Sequence, residues 1–216
     1  MPRTRRSLAV GAVAAVVLAG CALGERPVLG PPGDTVPTAP TGNDQLDTVL
    51  GLLDSADGAT FTASYELRTL FGSLDSTALV SRGDDLGTSI TIENADRRIR
   101  FLADAEGERT CDLVAGTCED GFDDARISDT QLPHDFWGRA FASRLRADAN
   151  RRIADPVLYE DDVAGQAASC VDVDVSGGSK TYCALGAGPL ARFLGPDVEI
   201  ELVAWSPEPD PSAFEG

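Results

Sequence analysis

Phe61-Thr62-Ala63-Ser64-Tyr65-Glu66-Leu67-Arg68 decides the fold class of this chain. Phe61, Ala63, Tyr65 and Leu67 alternate with hydroxylated or charged residues. A side-chain period of two belongs to a strand with one face buried and the other in water. The pattern recurs downstream. Residues 74–81 follow Gly72 and Ser73, and Arg82-Gly83-Asp84-Asp85 turns the chain. Ile90 and Ile92 then alternate with Ser89, Thr91 and Glu93, and a turn near Ala95-Asp96 leads to Ile99 and Phe101 beside Arg98 and Arg100. One-faced strands joined by short polar turns predict an antiparallel meander with one wet face.

Before this meander the period is that of a helix. Leu46, Val49, Leu50 and Leu53 fall at i, i+3, i+4 and i+7, residues 41–44 supply capping groups, and Gly58 stops the run. Beyond it, residues 110–114 read as a short strand, followed by an acidic loop over 119–124. A second helix is predicted from about Pro133 to Asp148, with Phe136, Trp137, Ala140, Phe141 and Leu145 as its apolar stripe and Arg139, Arg146 and Asp148 opposite. Strands return over 157–159, 167–175, 180–185 and 198–205. The folded domain is thus residues 43–205, of α+β class and without internal repeats. Pro27, Pro31, Pro32, Pro37 and Pro40 mark residues 21–42 as a tether, able to span roughly 60 Å at ~3.1 Å per residue. Pro207, Pro209 and Pro211 among acids predict a disordered tail over 206–216.

The first residues carry a different message. Arg3, Arg5 and Arg6 precede an apolar run beginning at Leu8, which closes on small residues, the layout of a secretory signal peptide over residues 1–20. Leu18-Ala19-Gly20-Cys21 resembles the lipobox of bacterial lipoproteins. The resemblance implies cleavage before Cys21, a diacylglyceryl group on its thiol and acylation, for instance by palmitate, of the new amine. An ordinary signal peptide with a chance cysteine is the bland alternative. A lasting membrane span is disfavoured, because charge-free residues run only from Ser7 to Gly24. Two or three acyl chains, at about 0.8 kcal/mol per buried methylene, give stable attachment to the extracytoplasmic side of the cell membrane. Arg5-Arg6 fits both a plain export n-region and a twin-arginine signal.

The 216-residue chain has a net charge of −17. Removing residues 1–20, which carry three arginines and no acid, leaves 15 basic against 35 acidic residues, a net charge of −20. Such a surface repels nucleic acid and anionic headgroups. With Cys21 assigned to lipid, Cys111, Cys118, Cys170 and Cys183 remain, an even number in an exported chain. Four cysteines allow three pairings. Directly opposed positions favour Cys170–Cys183, with the turn at Ser176-Gly177. They also favour Cys111–Cys118, around either Val114-Ala115 or a four-residue loop over 113–116.

Motifs of catalysis are sparse. His134 is the single histidine, no Gly-x-Ser-x-Gly occurs, Ser-x-x-Lys fails at Gly177 before Lys180, and no phosphate-cradling loop follows a strand. Carboxylates sit on turns and wet strand positions, where solvation explains them, and the 119–124 cluster lacks the alternate spacing of a calcium loop. No enzyme activity, metal or cofactor is expected.

Three further stretches carry a resemblance: Phe61-Thr62-Ala63-Ser64-Tyr65 after the first helix, Val163-Ala164-Gly165-Gln166 leading into Ala168-Ser169-Cys170-Val171, and Tyr182-Cys183 followed by Gly188-Pro189-Leu190. Together with the element order, they resemble the LolA-like family. That resemblance implies a curved antiparallel sheet, an incomplete barrel with helices on its concave face, and a job such as carrying lipid or lipoglycan. Candidate groove-lining residues are Phe61, Tyr65, Ile90, Ile92, Ile99, Phe101, Trp137, Phe141, Val171 and Val173. The same residues would equally fill a solid core, in which case the acidic convex face docks an envelope protein partner.

Overall fold

The computed structural model describes residues 40–70 and 72–215, so Cys21, the signal peptide and most of the tether lie outside the described residues. Asn43 caps the first helix, α1 (Asp44–Ser55), its side chain accepting from the Gln45 and Leu46 amides at 3.0 and 3.1 Å. Leu46, Val49, Leu50 and Leu53 form its buried stripe. Six strands follow as a meander: β1 (Phe61–Thr69), β2 (Leu74–Gly83), β3 (Gly87–Glu93), β4 (Arg98–Asp104), β5 (Gly107–Asp112) and β6 (Thr117–Asp120). Helices α2 (Asp124–Thr130) and α3 (Arg139–Asn150) come next. A second meander, β7 (Val157–Val163), β8 (Gln166–Val175), β9 (Gly178–Leu185), β10 (Leu190–Leu194) and β11 (Val198–Ser206), completes the sheet.

All neighbours pair antiparallel in the order β6-β5-β4-β3-β2-β1-β11-β10-β9-β8-β7. The two meanders therefore join through β1 and β11, and the curved sheet stays open between β6 and β7. Concave-face residues of β1, β2 and β3 stack in register, Tyr65 beside Ala78 and Ala78 beside Ile92. The helices cover this face, α1 touching α3, β8 and β9. Both disulfides staple hairpins as the register requires: Cys111 faces Cys118 and Cys170 faces Cys183. The first hairpin uses the four-residue loop, with Gly116 at φ 68°.

Several sequence expectations change. Residues 133–138 form consecutive turns, and α3 begins only at Arg139. The helix cannot continue through Gly138, whose backbone (φ −149°, ψ −98°) lies so close to α1 that an added Cβ would meet the Ala56 Cβ at 3.1 Å. Phe136 and Trp137 are buried from these turns and not from a helical stripe. Asp148, expected on the wet side, is fully buried. Helix α2 and strands β6 and β10 lacked a legible period.

The largest correction concerns the tail expected to be disordered, of which residues 206–215 are described. Ser206 ends β11, and residues 207–215 fold back over the outer face, with a 3-10 turn at Pro211–Phe214 capped by Asp210. The outward residues Ser81, Ser89, Thr91 and Arg100 are consequently buried, where the alternation predicted a wet face.

Candidate functional site

The ten candidate groove residues lie in one continuous core, each at most 4% exposed. Their rings interlock with neighbours from the helices and turns. Phe61 meets Trp137 at 5.4 Å and Trp205 at 5.1 Å, and Tyr65 meets Phe136 edge-on at 5.1 Å. Phe141 contacts Phe193 at 4.8 Å. The Tyr65 hydroxyl donates to the Leu190 carbonyl at 3.0 Å, and burial pushes its phenol far above the ordinary range, so it stays neutral. At the mouth between α3 and the sheet is a cleft of about 270 Å³, lined by Thr69, Leu132, Pro133, Phe141, Arg144 and Val198 among others. Of the ten residues only Phe141 reaches it. Arg144 pairs with Asp197 at 2.5 Å across this opening and lies 4.4 Å from the Phe193 ring centroid.

Charged groups also enter the interior. Asp148, near the end of α3, accepts from Lys180 Nζ at 2.9 and 2.8 Å, from Arg151 at 2.9 Å and from the Tyr182 hydroxyl. Burial raises the Asp148 pKa, but hydrogen bonds from Lys180 and Tyr182 more than offset this and hold the carboxyl below its usual range. Burial first, then the Asp148 carboxylate, pushes the Tyr182 phenol up. The single lysine thus fastens α3 to β9 and approaches no nucleophile pattern. Arg139 and Arg146 pair with Asp57 and Asp54, fastening α3 to the end of α1. His134 lies against Phe122, their ring centroids 4.2 Å apart and the planes tilted by 41°. Among the described residues, no three His, Cys, Asp or Glu side chains converge as a metal site.

A second concavity lies on the outer face. A cleft of about 520 Å³ is lined by Glu66, Asp75, Glu93, Glu199 and Glu201, with Arg68 and Leu194 among them. Strand register explains the arrangement. Arg192, Glu201, Glu66, Thr77, Glu93 and Arg98 form one transverse row over β10, β11, β1, β2, β3 and β4. Leu194, Glu199, Arg68 and Asp75 form the row beside it. Most of these charges have surface partners: Arg68 with Asp75 at 3.1 Å, Arg98 with Glu93 at 3.2 Å and Arg192 with Glu201 at 3.0 Å. Glu66 sits directly across from Glu201, a like-charge pairing that destabilises a sheet. None of these residues is singled out by the sequence, because the row exists only through the β1–β11 pairing of segments far apart in the chain.

No family model matches the chain, and no curated relative matches it. Solved structures do. MucB matches with a TM-score of 0.51 at 15% identity, over 81% of this chain and 64% of that one. The MucA/MucB complex of Pseudomonas aeruginosa gives the same TM-score and identity, over 80% and 61%. Mycobacterium tuberculosis lipoprotein LppX aligns at 13% identity with a TM-score of 0.33, over 73% and 94%. The chain thus spans less than two thirds of the MucB chains it matches. The MucB likeness is one of fold, the open, curved, helix-covered sheet of LolA-like proteins.

Proposed function

We propose that this chain is a non-enzymatic protein-interaction module of the bacterial envelope. It is held outside the cell membrane by lipid on Cys21 and docks a basic partner segment in the outer cleft. The observation that carries the reading is the opposition of Glu66 and Glu201 inside a cleft of five carboxylates and one guanidinium. Like charges facing across a ladder weaken the domain that holds them, and a cationic partner relieves them. Leu194, 41% exposed on the cleft wall, offers an apolar contact beside the charges. The acidic surface steers a basic partner toward the cleft, so association weakens as salt rises. The packing of the ten candidate residues into a core favours this reading over a standing lipid groove. MucB, which shares the fold, forms a complex with MucA.

A second reading, a carrier of lipid or another hydrophobic ligand, is favoured by the mouth cleft at Phe141. There an acyl chain would gain about 25 cal/mol per Å² buried, provided that α3 lifts and Arg144 parts from Asp197.

A photo-crosslinking residue at Thr77 of the lipidated full chain, irradiated in its host, tests the first reading. One adduct of discrete mass is expected, lost on Glu66→Lys while the melting temperature does not fall. Native mass spectrometry and solvent extraction of the same protein test the second. Absence of an adduct together with a reproducibly co-purified lipid would refute docking and establish the carrier.

A further inference from the structure

Residues 207–215 lie in a channel built to receive them. Thr62 Oγ1 donates to the Glu208 carbonyl at 2.8 Å, and Ser89 Oγ donates to the Ala213 carbonyl at 2.6 Å. Ser81 Oγ accepts from the Asp210 amide at 2.8 Å and donates to its carbonyl at 3.3 Å. The Arg100 guanidinium donates to the Glu215 carbonyl and, at 3.1 Å, to Thr91 Oγ1. Thr62, Ser81 and Ser89 are register partners on β1, β2 and β3, and Arg100 lies on β4 next to Leu102, the partner of Ser89. The donors therefore cross four strands, about 14 Å at the usual strand spacing. Ser81, Ser89 and Arg100 are 0, 1 and 8% exposed.

What the channel recognises follows from its chemistry. It offers mainly donors, and it reads carbonyl oxygens. Pro207, Pro209 and Pro211 remove three N–H groups from the strap, so carbonyl acceptors outnumber donors along a segment that bends at 207–208 and closes in the 3-10 turn at Pro211–Phe214. Ala213 is the strap's buried apolar residue, so few side chains hold it and little apolar burial opposes its exchange. We propose that this channel is a docking site for a proline-spaced segment of a partner protein that ends in a 3-10 turn, with residues 207–215 as its tethered, autoinhibitory occupant. The inference goes beyond the acidic cleft, which shares no residue with the channel and takes a basic partner.

The test uses a fluorescent peptide with the sequence of residues 205–215 and the full chain. The Ala213→Asp variant, folded by tryptophan fluorescence and with its disulfides protected, is expected to bind the peptide. The unaltered chain is expected to bind it at least about 100-fold more weakly, because its own strap acts at the high local concentration of a tethered ligand. Adding Arg100→Gln or Ser89→Ala to Ala213→Asp is expected to weaken binding at least about tenfold, whereas Glu66→Lys leaves it unchanged. A folded Ala213→Asp chain that ignores the peptide overturns the proposal. So does equal binding by the unaltered chain, or a dimer with exchanged straps, which would make a second copy the occupant. If Ala213→Asp fails to fold, a chain ending at Ser206 takes its place. Failure of both to fold would make the strap an integral part of the domain and overturn the proposal as well.

Discussion

Replacing Lys180 with Met should destabilise the domain by about 3 kcal/mol at neutral pH, the low end of the 3–5 kcal/mol that follows when one partner of a buried ion pair is removed. Asp148 is 0% exposed and loses two charged hydrogen bonds of 2.9 and 2.8 Å. It keeps Arg151, which reaches it from solvent, and the Tyr182 hydroxyl. For a domain of this size the melting temperature should fall by roughly 6–12 °C. The pH dependence gives the sharper test. In the unaltered chain the Asp148 pKa lies below its unfolded value, so its contribution is present above the usual carboxylate pKa and is lost as pH falls through the depressed value. In Lys180→Met burial dominates, the folded pKa moves above the unfolded one, and protonation favours the folded state. The deficit of the variant should therefore shrink on going from pH 7 to pH 4. Denaturant unfolding followed by tryptophan fluorescence at both pH values, with disulfides intact, reads this directly. A loss below about 1 kcal/mol, or a deficit that grows on acidification, would refute the buried-pair account.

Other perturbations probe other parts of the argument. Converting Cys170 and Cys183 to Ser opens a closure separated by 13 residues and should cost about 3 kcal/mol; Cys111 and Cys118, separated by 7, should cost somewhat less, both read as denaturation midpoints. Gly188→Ala puts a Cβ 2.8 Å from the Ala56 nitrogen at a φ of 109°, and should destabilise by about 2 kcal/mol or more. Gly186→Ala, with nothing within 4 Å, is its control, and equal melting temperatures for the two would contradict the packing described. Glu66→Lys should raise the melting temperature, by ending the opposition to Glu201, while abolishing the Thr77 adduct; a variant that loses both stability and adduct would point to mere misfolding.

Local periodicity carried the fold a long way. Phe61 to Leu67 and Ile90 to Phe101 alternate because one sheet face is buried, and the concave face holds those residues. The two disulfides were legible for the same reason, since a tight turn at 176–177 sets Cys170 against Cys183 by counting. The second helix starts later than the pattern predicts because Phe136 and Trp137 have helical spacing to Ala140 and Phe141, yet the close approach of Gly138 to Ala56 interrupts the backbone between them. Spacing records which residues are apolar, and it contains no information about a neighbouring backbone. Lys180 and Asp148 were opaque in a similar way: a charge at a strand start and a charge at a helix end look solvated until the helix is laid on the strand.

The outer face shows why period-two reasoning stops short. Alternation tells which residues share a face; it does not tell whether that face stays in water. Ser81 and Ser89 read as wet because nothing near them in sequence is apolar enough to cover them, and their cover comes from positions 129 and 124 residues away. Glu66 and Glu201 likewise look like two solvated acids until β1 and β11 bring them into opposition. Both features depend on the long-range closure of two meanders into one sheet, and both weaken local consistency: a proline-spaced acidic segment buries an arginine, and like charges face each other across a ladder. Core residues could be read from the sequence because every level of structure agrees on them. The outer face could not, because there the local pattern and the tertiary arrangement diverge, and such divergence is where binding function is expected in a folded chain.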